Sequence, residues 1–124
     1  MKALDNCCWR NGKRNFDKIA WFYTGFVYGL EDRASPGMVK VGESMIDPAI
    51  RAREIAREMQ KDTIALFYWA FVWKPAVVEQ QVHEVLSERR VQGEWFDVPL
   101  HEAIETIRAV AGHGLIFDSE SWRK

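Results

Sequence analysis

Residues 63–73 read TIALFYWAFVW, an uninterrupted apolar and aromatic stretch. Successive side chains of a strand point to opposite faces. Read that way, Phe67, Trp69 and Phe71 line one face, and Leu66, Tyr68 and Val72 line the other. A strand that is apolar on both faces belongs inside a sheet covered by helices. A buried helix would share the apolarity, but the aromatic and β-branched content favours a strand.

The flanking segments supply partners and covers. Phe26–Leu30 and Met38–Val41 are short β-type runs joined by EDRASPG (residues 31–37), which is rich in turn formers. They predict a hairpin with a long loop. Asp47-Pro48 opens a helix, with Asp as N-cap and Pro at the first helical position. Its apolar stripe is Ala52, Ile55, Ala56 and Met59, with Arg51 at the border and Arg53 and Arg57 pointing away. Pro75 opens a second helix reaching about Arg90, with Val78, Val82, Val85 and Leu86 inward. GEWFDV (residues 93–98) is a short extended piece. Leu100–Ala111 forms a third helix, with Ile104, Ile107 and Val110 inward, stopped by Gly112-His113-Gly114.

The order ββαβα(β)α predicts an α/β fold, a small, mainly antiparallel central sheet of about three strands flanked by helices. The expected organisation is a basic, aromatic N-terminal extension over residues 1–24, a folded domain over 25–111 and a tail over 112–124. There is no internal repeat.

Composition narrows the class. The 124 residues suit one domain, and 48% hydrophobic with 28% charged residues fits a globular chain. The cysteines, Cys7 and Cys8, are adjacent, so they build neither a disulfide framework nor a zinc set, and a reducing cytoplasm is expected. MKALDNCCWR lacks the apolar run of a signal peptide, and nothing approaches a membrane helix, so no membrane partner is expected. The net charge of −1 is unevenly spread, because residues 1–24 carry five basic and two acidic residues, a net +3. Arg10, Lys13 and Arg14 of this arm are candidate contacts to DNA phosphates. Its Trp9, Phe16, Trp21 and Tyr23 suit either base stacking or cover for the core.

Five residues carry the chemistry of interest. Tyr28 and Lys40 lie on the two hairpin strands, Arg51 on the first helix, and Glu79 and His83 one turn apart on the second. A guanidinium can clamp a phosphate through its planar fork. A carboxylate can hold a divalent cation, and a phenol or imidazole can move protons. Each also has a structural explanation. Tyr28 suits a half-buried strand, Arg51 can pair with Glu54 or Glu58, and Glu79–His83 can be a helix-surface pair. Spacing alone leaves both readings open.

The chain resembles the GIY-YIG nuclease superfamily, in its phage and bacterial branch. FVYGL (residues 26–30) stands at the first motif, and VKVGES (39–44) at the second, with Gly42 as its glycine. DPAIRAREI (47–55) resembles a DPxxRxxE helix, and VEQQVHEVL followed by GEWFDV resembles the family's glutamate helix and aromatic segment. The resemblance implies Tyr28 near the nucleophilic water as base or orienter and Lys40 beside it. It implies Arg51 on the phosphate, Glu79 on Mg²⁺ or Mn²⁺, and His83 alongside as support or proton carrier. It further implies a metal-dependent endonuclease acting on DNA, in a bacterial cytoplasm or encoded by a phage.

Two departures feed an alternative. Glu43 follows Gly42, where its charge repels phosphate or joins a metal site, and the near-neutral charge is unlike that of a strong DNA binder. The alternative is a catalytically inactive module that binds nucleic acid or a protein. A homodimer is a further option, since six tryptophans leave room for an exposed apolar patch. His101 and His113 lack partners at ligand spacing.

Overall fold

The computed structural model describes residues 24–122. Strand β1 (Thr24–Asp32) lies between β2 (Met38–Ser44) and β3 (Ile64–Trp73), antiparallel to both. The segment 63–73 is thus the strand expected of it, in the sheet interior. Three shorter strands extend the sheet: β4 (Arg90–Gln92), β5 (Trp95–Asp97) and β6 (Leu115–Asp118). The order is β4-β5-β2-β1-β3-β6, a six-stranded sheet with every pairing antiparallel. About three strands were expected. The added ones are only three or four residues long, too short to show a period. β6 falls within the stretch read as a tail.

Four helices complete the described residues: α1 (Pro48–Met59), α2 (Pro75–Val85), α3 (Leu100–Ala111) and the short α4 (Ser119–Trp122). The Asp47 carboxylate accepts from the Ala49 amide at 2.8 Å and fixes the start of α1. Gln60, with φ of 55°, turns the chain out of it. α2 ends at Val85 rather than near Arg90, and a 3₁₀ turn at Ser87–Arg89 leads directly into β4. Val85, expected inside, is exposed, whereas Leu86 is buried as expected.

The two faces of the sheet are covered separately. On one, Val27, Val39, Val41, Tyr68, Ala70 and Val72 pack with Val78 and Val82 of α2 and Ala103 and Ile107 of α3. On the other, Tyr28 and Leu30 pack with Ala52 and Ile55 of α1. The alternation expected along β3 breaks once. A register shift at Gly29/Leu30 sets Leu66 opposite Leu30 and Tyr68 opposite Gly29, which leaves Phe67 as the extra residue of a bulge. Leu66 accordingly joins Trp69 on the α1 side, and Phe67 joins the α2/α3 core. The Phe67 ring fills the space over Gly29, where an added Cβ would come within 2.4 Å of it.

Two buried carboxylates anchor β3, one at its start and one at its middle. Asp32 accepts from the Ala34 amide, Lys61 Nζ and Thr63 Oγ1, at 3.0, 2.8 and 2.6 Å. The bonds from Lys61 and Thr63 hold its carboxyl down at about 2. Asp118 on β6 accepts from the Tyr68 hydroxyl at 2.6 Å and from Arg108 Nε at 2.9 Å. Burial alone would raise the Asp118 carboxyl. The bonds from Tyr68, Ser121 and Arg108 overcome that and hold it well below the usual carboxylate range.

Candidate active site

The α1 side of β1 and β2 carries the candidate residues. Tyr28 and Gly42 are directly paired across the two strands. Gly42 leaves its face open, and the Tyr28 ring occupies that opening. Lys40, two residues before Gly42, shares this face and pairs with Leu30. Asp47 and Pro48 start α1 so that Arg51 falls in its first turn, at the edge of the Ala52/Ile55 stripe. The Arg51 guanidinium thereby stands beside the Tyr28 hydroxyl. Its Nη1 also meets Glu54 Oε1 at 3.1 Å and Glu58 Oε2 at 3.7 Å, so the ion pairing and the approach to Tyr28 coexist.

Glu79 comes from the helix that covers the opposite face. Pro75, at the start of α2, packs against Gly25 at the end of β1, which brings the first turns of α2 to the sheet end. The Glu79 carboxylate lies in the same electrostatic neighbourhood as Tyr28, Lys40, Glu43 and Glu94. Burial, reinforced by the charges of Glu94 and Glu43, pushes it up to about 7. Lys40 and the Glu43 backbone amide offset part of that rise. Burial also lifts the Tyr28 hydroxyl to about 12, with Arg51 opposing and Glu94 and Glu79 adding to the shift. At neutral pH Tyr28 is therefore a hydrogen-bond donor, and Glu79 is close to half-protonated.

His83 is placed differently. Its Nε2 lies 2.7 Å from the Val41 carbonyl, so it carries the proton and donates it, while the ring packs on Phe96 with centroids 5.2 Å apart. It ties α2 to β2 one turn beyond Glu79. Arg10, Lys13 and Arg14 lie outside the described residues.

Glu94 is the residue that the sequence reading missed. It sits between β4 and β5, and its carboxylate holds Lys40 Nζ at 2.6 Å. The two are 54 positions apart, and only the pairing of β5 with β2 brings them together. A groove of about 420 Å³ runs between α1 and the β4–β5 turn, lined by Lys40, Arg51, Glu94 and Trp95 among others. Among the described residues, no three His, Cys, Asp or Glu side chains converge as metal ligands. A single carboxylate still suits Mg²⁺, which keeps several waters and takes the rest of its ligands from substrate phosphate.

The cleft thus gathers a guanidinium, an ammonium, a phenol and a desolvated carboxyl on an α/β domain, with Glu54, Glu58 and Glu94 pairing the two cations. The family model of the T5orf172 domain matches residues 25–111, and the chain belongs to that family. This corrects the resemblance drawn from the motifs, since the match is to a different family and no GIY-YIG model matches. The T5orf172 domain is associated with nuclease-like and DNA-binding functions. No curated protein and no solved structure matched the chain. Among the described residues, no helix is long and apolar enough to cross a membrane.

Proposed function

We propose that the protein is a metal-dependent endonuclease that hydrolyses phosphodiester bonds in DNA in the cleft between β1, β2, α1 and the start of α2. The observation that carries this reading is the Arg51 guanidinium standing beside the Tyr28 hydroxyl, with the desolvated Glu79 carboxyl in the same field. Arg51 exchanges its exposed partners Glu54 and Glu58 for two oxygens of the scissile phosphate, since such surface pairs are worth little. Lys40, held by Glu94, adds a second positive charge at that phosphate. Tyr28 keeps its proton and orients the attacking water by a hydrogen bond instead of abstracting a proton from it. Water oxygen bonds to phosphorus as the ester P–O bond breaks, the water's proton passes to solvent and the departing alkoxide takes one from solvent, which yields a phosphate monoester and an alcohol. Glu79 would hold Mg²⁺ or Mn²⁺, which when bound neutralises developing phosphate charge.

The experiment is plasmid cleavage with Mg²⁺, Mn²⁺ or EDTA, run beside Glu79→Ala. Metal-dependent nicking that disappears in the variant supports the reading. Absence of cleavage by folded protein with either metal points to a second reading, a DNA-binding module without catalysis. That reading is favoured by one feature of the cleft: both Lys40 and Arg51 already have carboxylate partners.

A further inference from the structure

Trp95 belongs to neither hydrophobic core. Its neighbour Phe96 points into the α2/α3 core and is fully buried, so Trp95 projects from the opposite, α1 side of the sheet. There it pairs with Lys40 across β2 and β5, and paired residues project side by side from one face. The indole lines the groove together with Arg51, Lys40, Met59 and Gln92, and Gln92 pairs with Trp95 across β4 and β5. The indole also borders an adjoining hollow of about 150 Å³ lined by Asp32, Met38 and Lys61 among others. Gln92, at the end of β4, is exposed and offers both an amide donor and a carbonyl acceptor. An ammonium, a flat aromatic and a carboxamide thus follow one another across β2, β5 and β4 in a channel that Arg51 also lines.

We propose that this channel is a nucleoside subsite: a base attached to the phosphate at Arg51 and Lys40 stacks on Trp95, and Gln92 contacts the base edge. The inference rests on the phosphate-binding reading above and adds to it the part of the nucleotide that is recognised. Stacking on an aromatic tolerates any base, whereas the carboxamide supplies a preference among bases.

The test uses thymidine 3′,5′-bisphosphate and the same deoxyribose bisphosphate lacking its base. Binding of each to metal-free full-length protein is measured by NMR titration for wild type, Trp95→Ala and Trp95→Phe, with thermal melting to confirm folding. Wild type is expected to bind the thymidine compound about 5- to 100-fold more tightly than the abasic one. Trp95→Ala should remove that difference without changing affinity for the abasic compound, and Trp95→Phe should keep most of it. Equal affinity of wild type for the two probes overturns the subsite. So does a difference that survives Trp95→Ala, or no measurable binding of either probe. Catalysis plays no part in the readout. A protein that cleaves DNA but binds both probes equally loses only the subsite, and one that never cleaves but prefers the base loses only the nuclease.

Discussion

The Tyr28 hydroxyl occupies the space that a side chain at Gly42 would need. A Cβ built on Gly42 would lie 2.5 Å from the hydroxyl oxygen and 2.6 Å from the ring carbon that bears it. Gly42→Ala must therefore displace the Tyr28 ring, at a cost of about 1–3 kcal/mol from overpacking. Gly29→Ala meets the Phe67 ring as closely, but on the α2/α3 side, away from the cleft. Denaturant unfolding should show comparable losses for both variants. A cleavage assay below their melting temperatures should show activity lost in Gly42→Ala alone.

Glu79 sets a pH dependence of stability. Its folded value of about 7 lies above its ordinary value of 4.5, so the fold favours the neutral carboxyl. The associated stability is fully present below about 4.5 and is lost as pH rises through about 7. Glu79→Gln keeps a neutral group at every pH. Without metal it should match wild type at pH 4.5 and exceed it at pH 8 by about 1–2 kcal/mol, after discounting for partial exposure. Thermal melting at the two pH values checks this. Added Mg²⁺ should raise the wild-type melting temperature at pH 8 and leave Glu79→Gln unmoved.

Arg51→Lys retains the charge and discards the fork. Loss of bidentate geometry should lower kcat/KM for cleavage by about 10²-fold or more. Stability should move by less than about 0.5 kcal/mol, because lysine keeps the charge and the pairs with Glu54 and Glu58 are partly exposed. A large stability loss with activity intact would assign Arg51 to packing α1 instead.

Gln60 ends α1 in a left-handed conformation, with its amide donating toward the Ala56 and Arg57 carbonyls. Glycine adopts that conformation without a Cβ penalty. Gln60→Gly should therefore raise stability by about 0.5–1 kcal/mol and leave cleavage unchanged. Urea midpoints for the two proteins decide the sign.

Much of this arrangement was legible in the sequence. The hairpin, the Asp47-Pro48 helix start and the long apolar strand are local signals, and they sufficed to put Tyr28 and Lys40 on the two hairpin strands and Arg51 at the border of the first helix's apolar stripe. The bulge at Phe67 was not legible, since an apolar residue suits either face of a strand buried on both. β4 and β6 owe their existence to neighbouring edges and not to their own three or four residues. Glu94 could not be found from its surroundings because its role depends on a strand pairing. The family was misread from short motifs, whereas the family match draws on residues 25–111 as a whole.

The strand contributed by residues 115–118 lies beyond the stretch that defines the family, yet it closes the exposed side of β3. A fragment cut at residue 111 would strip Tyr68 of its buried acceptor and Arg108 of its partners Asp118 and Glu120. It would also leave the unpaired backbone of an aromatic strand facing water, a template for pairing with another molecule. The family segment and the unit that pairs both edges of β3 are thus different lengths of chain.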